Sequence, residues 1–151
     1  MKEITGNLFA QRGPKSVLVI PTNGQVKYGT QTAVMGAGVA KQAAEIWPEL
    51  PKLLGRKLVA LGNRVFVFRV NGDERVITFP TKEHWAQPSR HDLIERSAQE
   101  LANLATVLPR EVVVYLPRVG CGLGKLNWEE VKSILEKYLD DRFIVVHKND
   151  E

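Results

Sequence analysis

Pro117-Arg118-Val119-Gly120-Cys121-Gly122-Leu123-Gly124-Lys125-Leu126-Asn127-Trp128 is the stretch on which a reading of the fold turns. The apolar run Val112-Val113-Val114-Tyr115-Leu116 precedes it, and Glu129-Glu130-Val131-Lys132-Ser133-Ile134-Leu135, with helical periodicity, follows. It therefore reads as a strand-to-helix loop with glycine at 120, 122 and 124. Glycines let successive backbone N–H groups approach an anion, and a helix N-terminus adds partial positive charge where a phosphate is well held. A tight crossover turn would use the same glycines, so both readings stand here. A Walker A loop does not fit: Gly120 to Lys125 is one residue too short, and Leu126 replaces the magnesium-binding Ser or Thr. Asn127 and Glu130 read as an N-cap and capping box that start a helix at about Trp128.

Working back toward the N-terminus, strand-like and helix-like segments alternate. Lys2 to Thr5 reads as a short first strand, and Gly6-Asn7 as a turn into Leu8 and Phe9. Ser16 to Ile20, bounded by Pro14 and Pro21, reads as a buried central strand, with Thr22 to Gly29 as the loop after it. Val34-Met35-Gly36-Ala37-Gly38-Val39-Ala40-Lys41 is a second glycine loop, opening a helix that closes at Trp47-Pro48. Lys41 stands where a dinucleotide-binding fingerprint would put its third small residue, so that motif is excluded too. Leu50 to Leu61 is amphipathic. Val65 to Val70 and Arg75 to Phe79, joined by Asn71-Gly72-Asp73, form a hairpin that makes the sheet mixed. Leu93, Ser97, Leu101, Leu104 and Leu108 mark one face of a long helix that Ser89 and Asp92 would open as a capping box, and Phe143 to His147 is the closing strand. The pattern predicts one α/β domain over residues 1–151, a three-layer α/β/α sandwich around a mixed central sheet.

Composition narrows the function classes. A chain of 151 residues can bury about two-thirds of its unfolded surface without staples. The single cysteine, Cys121, excludes an internal disulfide, and three scattered histidines offer no zinc spacing, so neither a metal nor a redox cofactor is expected. No apolar leader or bilayer-length run occurs, which leads to the expectation of a cytoplasmic, membrane-free monomer. The formal charge of +4 leans toward an anionic partner.

Between hairpin and long helix lies Phe79-Pro80-Thr81-Lys82-Glu83-His84-Trp85-Ala86-Gln87-Pro88-Ser89. A lysine after a buried strand can pair with a phosphate or, partly desolvated, act as a nucleophile toward a carbonyl; it can equally be a solvated charge. Cys121 has the same two faces, a thiol nucleophile or a small packing residue.

Taken together, Gly6-Asn7-Leu8-Phe9, Pro21-Thr22-Asn23-Gly24 with Met35-Gly36-Ala37-Gly38-Val39-Ala40, Phe79 to Trp85, and Pro117 to Leu123 with Leu126 and Trp128 resemble a macrodomain, over nearly the whole chain. Within that family the likeness is to the branch of terminal ADP-ribose protein glycohydrolase and the DNA ADP-ribosyl glycohydrolase antitoxins. The resemblance implies an ADP-ribose site at the strand C-termini. The Met35–Val39 loop and the loop carrying Arg118, Val119, Gly120, Cys121, Gly122, Leu123 and Gly124 would clasp the diphosphate. Asn23 would sit by the distal ribose, Asn7 and Leu8 would border the adenine, and His147 falls where relatives place an aromatic that stacks on it. Asn7 replaces the aspartate common in macrodomains, exchanging a carboxylate acceptor for an amide oxygen.

Lys82 matches the lysine proposed in this branch to attack the anomeric carbon, with Arg118 or burial beside Trp85 lowering its pKa. Gly124 stands where the protein glycohydrolase has an aspartate, as in antitoxin-like members that act without it. The implied function is an ADP-ribosyl glycohydrolase acting on ADP-ribosylated nucleic acid, slightly favoured by charge, or protein. A non-catalytic reader and an ADP-ribose 1″-phosphate phosphatase are the alternatives.

Overall fold

The computed structural model describes residues 1–148. In chain order the elements are β1 (Lys2–Thr5), a short 3-10 helix (Leu8–Gln11), β2 (Ser16–Asn23), α1 (Gly38–Ile46), α2 (Leu50–Leu61), β3 (Phe66–Val70), β4 (Glu74–Lys82), α3 (His91–Ala105), β5 (Val113–Leu116), α4 (Trp128–Glu136) and β6 (Phe143–His147). The strands form one sheet in the order β1-β6-β5-β2-β4-β3. Every neighbouring pair is parallel except β3 with β4. That exception is the hairpin read from Asn71-Gly72, whose residues both take positive φ, 50° and 84°, as a type I′ turn requires.

Alternation along the central strands divides the interior into two layers. Val17 and Val19 of β2, Ile77 and Phe79 of β4, Val114 and Leu116 of β5 and Phe143 and Val145 of β6 point to one face, where α3 and α4 bring Ile94, Ala98, Leu101, Val131 and Leu135. Leu18, Ile20, Val76 and Val146 point to the other, against Ala43 of α1, Leu50, Leu54 and Leu58 of α2, and Trp47 between them. This is the three-layer arrangement read from the sequence, with β2, β4, β5 and β6 covered on both faces.

Several boundaries differ from the sequence reading, among them the end of α3 at Ala105, which leaves Leu108 outside the helix. Pro21 does not end its strand: β2 continues to Asn23, and β4 likewise runs through Pro80 to Lys82. The prolines are tolerated because the outer neighbours have already stopped. β5 pairs with β2 only as far as Leu18, and β3 pairs with β4 only as far as Thr78, so Pro21 and Pro80 lie on a two-strand extension with no donor needed on its outer sides. The second correction concerns α3. Its N-cap is Arg90, not Ser89, and no side chain caps it; Asp92 instead pairs with the Arg90 guanidinium at 2.6 Å. The Ser89 hydroxyl is buried elsewhere, with no hydrogen-bond partner among the described residues.

The order of strands also fixes where a ligand can lie. From β2 the chain crosses to α1 on one face, whereas from β5 it crosses to α4 on the other, and β2 and β5 are neighbours. Their outgoing loops must part, which leaves a crevice at the carboxyl ends of these two strands, the switch point of an open α/β sheet.

Candidate functional site

Both glycine loops open on that crevice. α1 begins at Gly38 with φ 59°, and its N-cap is Ala37, which has no side-chain group to satisfy the first turn. Among the described residues the N–H groups of Gly36, Ala37, Gly38 and Val39 have no acceptor in the protein, the first helical bond being Lys41 N–H to the Ala37 carbonyl at 3.2 Å. On the other loop the N–H groups of Gly120, Gly122, Leu123 and Gly124 are likewise unclaimed, while that of Cys121 closes a turn onto the Arg118 carbonyl at 3.2 Å. The loops meet: a β-carbon on Gly38 would lie 3.3 Å from Leu123 Cδ1. The two loops, each with unclaimed amides, therefore lie against one another, and unclaimed backbone amides are groups that hold phosphates well.

The side chains of these loops play other parts. Met35 and Val119, expected at the ligand, are buried in the two cores, so only their backbones are available to the groove. The Cys121 thiol is half-buried and bonds to the Val119 carbonyl at 3.4 Å. Gly124 is buried beneath the loop. Its carbonyl accepts from Ser89 N–H at 3.1 Å, and a β-carbon there would stand 2.5 Å from the Gly120 carbonyl oxygen and closer still to Ser89 Oγ. No larger residue fits, so the position cannot carry a carboxylate, and the contact ties the loop before α3 to the loop before α4.

Lys82 closes β4 beside Asn23 of β2, its register partner past a bulge at Thr81. The Lys82 carbonyl accepts from Asn63 Nδ2 at 3.2 Å, and its amine donates to the Trp85 carbonyl at 3.4 Å. Burial first, and then the charge of Lys125, hold that amine below the ordinary lysine range. Arg118, expected in that role, is turned away. It lies 3.8 Å from Glu3 and 5.2 Å over the Trp128 ring, in a cluster that Lys132 completes at 2.9 Å from Glu3.

Asn7 and His147 share one corner. Gly6 N–H donates to the His147 carbonyl at 2.8 Å, and Thr5 is the register partner of His147. The Asn7 amide oxygen caps the 3-10 helix through Phe9 N–H at 2.9 Å, with one lone pair left to accept from a ligand. Leu8 is buried in the core and contributes no side chain to that corner. Asn23 is braced at both ends, donating to the Val34 carbonyl at 3.1 Å and accepting from Gln25 N–H at 2.9 Å, which leaves one N–H and one lone pair unused.

From the Asn7 and His147 corner to Lys82 the carboxyl ends run over β1, β6, β5, β2 and β4. Four strand spacings of about 4.8 Å make roughly 19 Å. Along it stand, in order, the Asn7 and His147 corner, the two loops with unclaimed amides, and an amine whose pKa is lowered. Two surface hollows, of about 470 and 500 Å³, lie elsewhere. One is beside Arg12, Asp73 and Glu74 at the hairpin turn, and the other is along α3 at Arg64, Arg96 and Tyr138. Recognition of phosphate by backbone amides needs a groove rather than an enclosed apolar cavity. Among the described residues no His, Cys, Asp and Glu cluster has metal-binding geometry, and no helix is long and apolar enough to cross a membrane.

Lys125, Ser89 and Gln25 are not among the site residues read from the sequence. Lys125 carried one signal: it has φ 67°, a left-handed backbone unfavourable for a side chain, inside a loop otherwise using glycine. Gln25 accepts from Trp85 N–H at 3.3 Å, and Gly24 N–H donates to the Glu83 carbonyl at 3.1 Å, so the loops after β2 and β4 are tied as well.

No family model matches the chain. It is 32% identical over 132 residues to the DNA ADP-ribosyl glycohydrolase of Thermus aquaticus, covering 83% of this chain and 36% of that one. The chain thus spans about a third of the length of the curated relatives it matches. The macrodomain of Thermus aquaticus DarG superposes with a TM-score of 0.78 at 28% identity, over 97% of both chains. Thermosipho africanus DarTG, solved in complex with ADP-ribose, superposes with a TM-score of 0.78 at 18% identity, over 99% of this chain and 42% of that one.

Proposed function

We propose, from the premise that this chain belongs to the macrodomain family and stands close to the DarG macrodomains, that it binds ADP-ribose along the strand C-termini and removes it from DNA through Lys82. The observation that supports the reading is that the Leu123 side chain packs against Gly38, bringing together two loops that each carry unclaimed amides, at the sheet end where Lys82 closes β4. Adenine is taken at Asn7 and His147, the diphosphate between the glycine loops, and the distal ribose beside Asn23 and Lys82. The name of the Thermus aquaticus relative and the ligand solved with the Thermosipho africanus protein support the same substrate.

The chemistry follows from an amine with a lowered pKa. Neutral Lys82 Nζ gives its electron pair to the anomeric carbon, and the base leaves with the electrons of its bond to that carbon, taking up a proton. Ring opening turns the adduct into an imine, and water then returns the free amine and releases ADP-ribose. The Trp85 carbonyl, 3.4 Å from Nζ, orients the amine for this step. The protein works as a monomer in the cytoplasm, a reducing compartment being favoured by the lone cysteine, Cys121. Nucleic acid is favoured over protein by the +4 charge.

Lys82→Ala tests the reading. It abolishes release of ADP-ribose from modified DNA while free ADP-ribose still binds; equal turnover by parent and variant defeats the lysine mechanism. A non-catalytic reader is the second reading, favoured by Gly124, where no carboxylate can stand. It predicts saturable calorimetric binding by the parent with no product.

A further inference from the structure

Past Thr78 the outer side of β4 has no strand beside it, because β3 pairs no farther. The carbonyls that follow find other donors. Pro80 accepts from the Ser97 hydroxyl at 2.7 Å, Thr81 from Arg90 N–H at 2.9 Å and Glu83 from Gly24 N–H at 3.1 Å. Lys82 accepts from the Asn63 side-chain amide at 3.2 Å, and that amide also donates to Glu83 Oε2 at 3.1 Å. Asn63 reaches this place because β3 runs antiparallel to β4, which brings the loop entering β3 to the sheet end where β2 and β4 finish. Gly62, with φ 85°, ends α2 and turns the chain into that loop. The loop is then fastened to α3. Arg96 donates to the Asn63 carbonyl, and Glu100 accepts from Arg64 Nη1 at 2.6 Å and from Val65 N–H at 2.9 Å.

One amide therefore touches both segments that carry the proposed reaction. A β-carbon on Gly24, the neighbour of Asn23, would stand 2.8 Å from Asn63 Nδ2, and Lys82 is the register partner of Asn23. Both N–H bonds of the amide are spent on Lys82 and Glu83, while its oxygen is buried with no partner among the described residues. An unpaired buried acceptor lowers stability, so what this side chain contributes is its two donors. We infer that Asn63 is a positioning residue for the proposed reaction, spacing the main chain of Lys82 from the Asn23 loop so that the amine meets the distal ribose. The inference rests on the glycohydrolase reading above. Lysine has a flexible stem, so where Nζ can reach is set by where its Cα is held. A misplacement of about 1 Å between reacting groups costs on the order of 100-fold in rate.

The test compares Asn63→Ala and Asn63→Asp with the parent in two measurements. One is kcat for release of ADP-ribose from an ADP-ribosylated DNA oligonucleotide, and the other is the fraction of chains that bind free ADP-ribose by calorimetry. Asn63→Asp keeps the shape of the side chain and removes its donors, setting a carboxylate against the Lys82 carbonyl and Glu83. Both variants are expected to bind free ADP-ribose as the parent does and to lose about 10- to 100-fold in kcat. Asn63→Asp with the parent's kcat overturns the positioning role and leaves the function standing. A fall in kcat matched by an equal fall in the binding fraction overturns it too, since that marks loss of fold. Arg96→Ala releases the Asn63 main chain without touching its amide, and a lowered kcat is expected there as well; the parent's kcat in that variant overturns the anchoring by α3. An inactive parent overturns the glycohydrolase reading, and the positioning role falls with it.

Discussion

Replacing Gly124 with alanine adds one methyl group and tests whether the loop beneath the groove is as tightly set as its contacts indicate. The new carbon would lie 2.5 Å from the Gly120 carbonyl oxygen, 2.9 Å from its carbon, and nearer still to Ser89 Oγ. The serine hydroxyl can rotate away; the Gly120 backbone cannot, because its carbonyl is held by Leu126 N–H at 2.9 Å and its own Cα faces Ile94. Relief therefore means separating two loops, at an overpacking cost of about 1–3 kcal/mol. Loss of the bond from Ser89 N–H to the Gly124 carbonyl adds about 1 kcal/mol. At roughly 2–4 °C per kcal/mol for a domain of this size, the midpoint of thermal unfolding should fall by roughly 5–15 °C. Ser89→Ala in the same background removes the nearest clashing atom and a hydroxyl without a partner among the described residues, so it should recover part of the loss. A Gly124→Ala protein that melts with the parent would refute the packing argument, and with it the reason given for the missing carboxylate.

Two further outcomes follow. Lys125→Met removes the second cause of the lowered Lys82 pKa, so that pKa moves back up toward the ordinary lysine range. The rising limb of the pH–rate profile should move to higher pH; an unmoved limb means the Lys125 charge is not felt. Glu74 is held down to about 2 by Arg12, helped by Asn71 and Trp47, against 4.5 when unperturbed. A lowered carboxylate stabilises the fold above its unfolded pKa and loses that contribution as pH falls toward the folded one, so Glu74→Gln should cost on the order of 1–2 kcal/mol at pH 7, the pair being partly exposed. By denaturant titration the gap from the parent should close between pH 4.5 and 2; a gap that persists at pH 2 argues against the ion pair as its source.

The fold was legible where the code is local. Runs such as Ser16 to Ile20 and Val112 to Leu116, the Asn71-Gly72 turn and the Asn127 cap, which accepts from Glu130 N–H at 3.2 Å, each carry their own signal. The site was legible as far as backbone chemistry goes, since the glycines announce the amide rows. What escaped depends on contacts between distant segments. That Pro21 and Pro80 sit inside strands follows from where β5 and β3 stop pairing, which no window around either proline contains. Arg118 seemed available to Lys82 because its partners Glu3 and Trp128 come from elements far along the chain. Ser89 has the composition of a cap, but Gly124 draws it under the neighbouring loop.

The ties from Gly24 to Glu83, Gln25 to Trp85 and Ser89 to Gly124 have a thermodynamic consequence of their own. Three connections that would otherwise wander independently are stitched into one rim before any nucleotide arrives, so little conformational freedom is left to surrender on complex formation. If a nucleotide binds there as proposed, differences in its affinity should then show mainly in the rate at which it departs.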